Sequence, residues 1–384
     1  MKRIRSYSVF LASLLTLLWL APCAIGAAKS DYIVYVGNYK GKNSSGIYAC
    51  RLDTATGKLA EIGLVAETVN PSYLAIHPNR RFLYASNNYQ GQGGGTVSAF
   101  AMDLTTGKLT FLNSVPTRGM DPYFLSVDKT GRALVAVNYT SGSVVAIPIK
   151  EDGSLAEVSA FNQRQGSSVN PTLQSGPHPH SVRITADSRF AIVADRGADQ
   201  VAVYRLDPAK GSLTPNEPPY VKVKPGAGPR YLDIHPNGKF VYVINELQNS
   251  VTAFDFDAAN GVLKEIQTVP TLPQDFKGNN MPADIHVHPS GMFVYGSNRG
   301  HDSIAVFQID RKTGTLKPLE QVLTQGKSPR GFGIDPTGSY LIVANQGTGN
   351  LVVFRIDRKT GRLTPTGQTM DIGTPVCMQF VQAR

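Results

Sequence analysis

The sequence predicts an all-β fold closed as a seven-bladed β-propeller. Three observations predict it: a composition poor in charge and rich in turn formers, two sequence markers that recur along the chain, and complementary half-units at the two ends. Of 384 residues, 41% are hydrophobic and only 17% charged, with 37 Gly and 25 Pro. That balance excludes a disordered chain and leans toward β structure.

Residues 1–28 read as a secretory leader. Lys2, Arg3 and Arg5 precede an apolar run from Val9 to Ala21, and small residues follow. Cleavage after Gly26 or Ala28 places small side chains on both sides of the usual recognition site. The run falls short of the about 20 residues that a bilayer span needs, and Pro22 stands where a lipoprotein signal at Cys23 wants a small residue. Removing the leader lowers the formal net charge from +10 to +7 and removes Trp19, the sole tryptophan. The expectation is a periplasmic or secreted monomer, off the membrane once the leader is gone. Cys50 and Cys377 fall in predicted strands and read as buried free thiols, not a disulfide framework.

Residues 29–384 read as one domain of repeated units. The first marker is a turn ending in Gly-x-Leu, with its glycine at Gly57, Gly107, Gly153, Gly211, Gly261, Gly314 and Gly361, at intervals of 50, 46, 58, 50, 53 and 47 residues. The second marker is a proline, an apolar strand, a polar turn, a second strand and then Asn or Asp. It runs from Pro71 to Asn87, Pro122 to Asn138, Pro179 to Asp195, Pro229 to Asn245, Pro282 to Asn298 and Pro329 to Asn345, always 16 residues apart.

A seventh copy is split between the ends. Pro375-Val-Cys-Met-Gln-Phe supplies a first strand and Ile33-Val-Tyr-Val-Gly-Asn38 the matching second strand. A strand at about 31–37 is therefore expected to pair with one at about 375–382 and close the ring. Each unit supplies four strands, as in Tyr73–Ile76, Phe82–Ser86, Thr96–Met102 and Leu109–Ser114. Radial repetition of such units is a propeller. A linear solenoid would want polar capping repeats and no split unit.

The repeat also predicts where a site lies. Numbering the split blade 1 and the Pro71 blade 2, the residues after each Pro and after each Asn or Asp lie on one face beside the axis. After Pro stand Val376, Ser72, Tyr123, His180, Arg230, Ala283 and Arg330. After Asn or Asp stand Tyr39, Asn88, Tyr139, Arg196, Glu246, Arg299 and Gln346. Blades 4 to 7 thus contribute every charge, and blades 1 to 3 are tyrosine-rich. The connection from turn Gly to next Pro takes 14 or 15 residues in four blades, but 26 before Pro179, 21 before Pro282 and 18 before Pro229. Phe161–Gly176 and Thr268–Met281 are therefore expected to wall the cationic half, as long loops on rigid scaffolds do.

Other residues read as scaffold. His77, His235 and His288 repeat in a turn on the opposite face, where blade 7 has Asp335-Pro336, and His286 sits mid-strand and reads as packed. His178 and His301 lie on the site face. Gly91–Gly95 lacks the strand-to-helix setting of a phosphate loop, and His-Glu-x-x-His, Gly-x-Ser-x-Gly and paired CxxC motifs are absent from the sequence. Arg311-Lys312 and Arg358-Lys359 are hairpin turns, so no nucleic-acid stripe is expected.

Gly176-Pro-His-Pro-His-Ser, Gly228-Pro-Arg, Tyr242-Val-Ile-Asn-Glu-Leu, Pro282-Ala-Asp-Ile and Ser297-Asn-Arg-Gly together resemble the lactonase family of seven-bladed propellers. That family includes bacterial 6-phosphogluconolactonase and the fungal carboxy-cis,cis-muconate cyclase. The resemblance spans residues 31–384 and implies a functional group of one His, two Arg and one Glu, which fall on His180, Arg230, Arg299 and Glu246. Where such proteins often read Asp-Leu-Gly, this chain has Asp195-Arg196-Gly197, which adds a cation.

The resulting expectation is metal-free hydrolysis of a sugar-type or related anionic lactone, with no cofactor. His180, Glu246, Arg230 and Arg299 are the expected catalytic residues, with Glu246 favoured as base and His180 as its partner. Arg196, Arg330, Gln346, His178, His301, Tyr39, Tyr123 and Tyr139 are expected to bind substrate. A ligand-binding propeller without turnover and a lactone-forming cyclase remain open.

Overall fold

The computed structural model describes residues 31–41, 45–89 and 93–384. The expected leader and part of the Gly91–Gly95 run lie outside the described residues. Within them, 28 strands form seven antiparallel sheets of four, and the innermost strands pack side by side all the way around the axis. The split blade closes as expected: Asp31–Asn38 pairs with Pro375–Gln382 on one side and Gly46–Asp53 on the other.

Second strands are buried on both faces because each blade is sandwiched between two others. Hence Phe190–Ala194 reads as an unbroken apolar run, and every residue of Phe190–Asp195 is buried. Outermost strands meet solvent on one side and carry more exposed residues, as in Leu363–Asp371. The core is therefore a ring of contacts between blades, with Cys50 and Cys377 inside it as free thiols.

Both sequence markers have a physical cause. The seven Gly-x-Leu glycines all take left-handed backbone, with φ from +61° to +84°. In five of them a Cβ would also come within 2.3–2.5 Å of an aromatic ring on a neighbouring blade, such as Phe293 against Gly361. The repeated turn histidines clasp the next blade: His77, His235 and His288 each place Nε2 2.9 Å from the carbonyl of Gly131, Gly291 and Gly338.

The first-strand proline pairs with the Asn or Asp in all seven blades, and immediately beyond it the register slips by one residue. In six blades the extra residue is the one after Pro; in blade 6 the slip spans Ala283 and Asp284. A bulge of this kind re-aims a side chain that regular pleating would send elsewhere. It is the local reason that His180, Arg230 and Arg330 gather at the axis.

Below this layer the channel is plugged. Tyr73 stacks on Phe124 with centroids 3.5 Å apart, and Tyr231 meets Phe124 edge-on at 4.9 Å. Further down, Arg183 lies over Phe124, 3.5 Å from the Asp233 carboxylate, and donates to the Leu232 carbonyl. Asp233 accepts from the Val287 amide and Asp284 from the Phe332 amide, and His286 sits 3.3 Å from Asp284. His286, expected simply to be packed, is thus a half-buried member of an ion-pair layer.

Candidate active site

At the upper mouth, three arginines from three blades converge on one carboxylate. Arg196 pairs with Glu246 Oε2, Arg299 with Oε1, and Arg230 Nε stands 3.6 Å from Oε1. Arg230 is 1% exposed, covers the Tyr231 ring at 4.3 Å and donates to the Ala283 carbonyl. Burial alone would raise the Glu246 pKa, but Arg230, Arg299 and Arg196 outweigh it and hold it below the ordinary glutamate value. Burial and the neighbouring Arg230 push Arg299 down to about 10, which leaves it charged at neutral pH.

The other half is aromatic. His180 stacks on Tyr123, with centroids 5.2 Å apart, and meets Tyr139 and Tyr231 edge-on. His178 stacks on Tyr139 and lies 3.0 Å from its carbonyl. Arg330 sits over Tyr39 and Tyr123, with its guanidinium 3.4 Å from the Tyr39 hydroxyl. Among the described residues no carboxylate reaches it. Burial, then Arg230, Arg196 and Arg330, drive the His180 pKa well below the usual histidine value. Its imidazole is therefore neutral, and Nδ1 is buried without a hydrogen-bond partner.

Ten of the twelve residues expected at the site thus form one contiguous cluster. Two do not join it. The His301 imidazole turns away to Ser303, 2.8 Å distant, and packs edge-on against Phe276. Gln346 is half-buried in blade 7 and is fixed through its backbone amide to the Ser328 carbonyl.

The long connections are shorter than expected, because Ala160–Gln163 and Val262–Pro270 are outer strands and Met281 opens the next one. What remains, 164–178 and 271–280, flanks a cleft of about 660 Å³ lined by Asn170, Leu173, Glu246, Leu247, Asn279, Asn280, Met281, Arg299, Gly300 and Ser328.

Two anchoring residues escaped the sequence reading. Arg164 makes a buried ion pair with Asp195, whose other oxygen accepts from the His178 amide at 2.8 Å. Asp199 accepts from Gln174 and Ser168 of the first loop, and from the Gly226 and Gly228 amides ahead of Arg230. The signal for Arg164 was present: only blade 4 has Asp where its sisters have Asn. In five of the six Asn blades that amide donates to a carbonyl of the incoming chain, as Asn345 does to Thr324 at 3.2 Å; an Asp there needs a cation.

Chemically, the mouth holds four guanidiniums against one carboxylate, beside a neutral imidazole and a row of phenols. Such a site binds an anion or a carbonyl that becomes one. The fold and this site define a propeller enzyme of the lactonase type. Residues 33–380 match the family described as "Lactonase, 7-bladed beta-propeller", and the chain belongs to it. It is 40% identical over 297 residues to a 6-phosphogluconolactonase of Bacillus subtilis, covering 77% of this chain and 83% of that one. A 6-phosphogluconolactonase of Formosa agariphila is 33% identical over 298 residues, covering 77% and 84%. Among solved structures, the periplasmic gluconolactonase of Pseudomonas aeruginosa superposes with a TM-score of 0.87 at 34% identity, covering 92% of this chain and 100% of that one. These likenesses place the chain among the lactone hydrolases.

Proposed function

We propose that the upper mouth hydrolyses a sugar-type or related anionic lactone by metal-free general acid/base chemistry. The observation that carries this reading is the cation surplus beside His180. Glu246 is committed to Arg196, Arg230 and Arg299, whereas His180 Nδ1 has no hydrogen-bond partner. We therefore assign the base to His180, and to Glu246 the task of holding the arginines in place.

The water's O–H bond breaks toward His180 as its oxygen bonds to the lactone carbonyl carbon. The arginines stabilise the oxyanion. As the ring C–O bond breaks, the imidazolium returns its proton to the departing alkoxide, giving a hydroxy acid. Arg330 holds an anionic group of the substrate, and Tyr39 and Tyr123 present ring faces to it. The leader expected at 1–28 and the likeness to a periplasmic gluconolactonase support action in the periplasm.

The test is hydrolysis of gluconolactone, 6-phosphogluconolactone and a muconate-type lactone by protein lacking the leader, with spontaneous opening subtracted. Turnover that survives EDTA and is lost in His180→Gln is the expected result. No turnover by folded protein overturns it in favour of a ligand-binding propeller; loss with EDTA overturns the metal-free mechanism.

A further inference from the structure

The cleft beside Glu246 has a rim that the hydrolysis of a small sugar lactone does not use. Leu173 from the first long connection and Met281 at the end of the second are 36% and 46% exposed, and both line the cleft with the half-buried Leu247. The backbone that carries Leu173 and Met281 is held in place. Arg196 Nη1 donates to the Leu173 carbonyl at 3.2 Å, and Arg299 Nε donates to the Met281 carbonyl at 3.0 Å. Two of the three arginines that grip Glu246 therefore also anchor the backbone of the two apolar rim residues. Behind them the connections are tied to the blades: Gln174 donates to Asp199, and Asn280 to Asn249 and Asn298.

The charges lining this cleft are Glu246 and Arg299, and they are paired with each other. A phosphoester entering it would meet amides and methyl groups and no unpaired cation. The volume, about 660 Å³, lies in the range of pockets that enclose drug-sized ligands. An apolar wall fixed to a polar floor fits a ligand whose reacting end is polar and whose far end is not.

Resting on the hydrolytic reading above, we propose that the preferred substrate is a lactone bearing an uncharged apolar substituent, alkyl or aryl, which lies in this cleft against Leu173, Leu247 and Met281. An anionic group of the same substrate goes to Arg330, which is not among the residues lining the cleft.

The experiment uses δ-lactones that carry one carboxylate and a linear alkyl substituent of one to six carbons, beside gluconolactone and 6-phosphogluconolactone. Binding of the matching hydroxy acids is followed by calorimetry, which needs no turnover. Both kcat/KM and affinity are expected to rise about two- to fourfold per methylene. The slope with chain length should fall by more than half in Leu173→Ser/Met281→Ser, each protein scaled to its own shortest ligand, and be kept in Leu173→Met/Met281→Leu. A flat binding slope in the parent, or an unchanged slope in the Ser variant with its melting temperature retained, overturns the proposal. So does a preference for 6-phosphogluconolactone over the whole alkyl series. Absence of turnover with the binding slope intact overturns the hydrolytic reading instead, leaving the apolar cleft standing.

Discussion

The two ends of the central channel both draw on the innermost strands yet differ in charge accounting. At the lower end, Arg183 faces Asp233, His286 faces Asp284, and both carboxylates also accept a backbone amide from the next blade. Charge is balanced, and each acid fastens two blades where the sheets themselves do not meet. At the upper end, three arginines share Glu246 and a fourth has only phenols around it. Removing charges from water without partners is costly, so the unbalanced end implies an anionic ligand and the balanced end a structural clamp. The two channel histidines register the difference. His180 is driven down by burial and the arginines, while at His286 the carboxylates of Asp284 and Asp233 overcome burial and raise it.

The sharpest way to break this comparison is to mutate both ends and measure the same two quantities. His180→Gln should lower kcat by about 10²–10⁴ with the melting temperature little changed. Arg330→Met should raise KM for an anionic lactone by about 10–100-fold, the scale of a lost charge-assisted hydrogen bond, and should do little for a neutral one. Glu246→Gln removes the carboxylate that the three arginines share. It should cost about 3–5 kcal/mol in denaturant unfolding and tighten binding of the anionic product. Weaker binding would mean that Glu246 contacts the ligand directly.

At the lower end, Asp233→Asn should cost about 1–3 kcal/mol of stability while kcat of the folded protein stays within about twofold. A large kcat loss there would dissolve the distinction between the two ends. The smallest effect is in pH dependence. Because the neutral His180 is the active form and its pKa is lowered, kcat/KM should hold as pH falls through 6.5 and decline only well below it. His286 has the opposite sign: its folded pKa is raised, so its contribution to stability is present below the unfolded value of about 6.5 and fades as pH rises through the folded one. Proton NMR titration of the two imidazoles reads both directly.

Much of this was legible in the residues. The constant spacing of Pro to Asn, and the half-units at the ends, fixed the ring and its closure, because a blade cannot bury both faces without neighbours on each side. Position within the repeat singled out His180, Arg230, Glu246, Arg299 and Arg330, since scaffold positions repeat and these do not. What spacing could not supply is which groups pair across blades that lie fifty residues apart. Glu246 read as the base because a glutamate among cations stays ionised; only the coordinates show that both its oxygens are already engaged. His301 was placed on the site face by its neighbourhood and not by the repeat, and its imidazole turns to Ser303; Arg164 lies in a connection without periodicity.

The bulge beyond each first-strand proline carries a consequence for how such molecules diversify. It sets one residue per blade outside the regular ladder, so exchanging that residue leaves the neighbouring sheet pairings intact. Heredity of shape and heredity of chemistry are thereby uncoupled: two chains can share every sheet and differ in the short word spelled around the axis, here Val376, Ser72, Tyr123, His180, Arg230, Ala283 and Arg330. Substrate kinship between propellers of this kind should be judged by that word before it is judged by how well their backbones overlay.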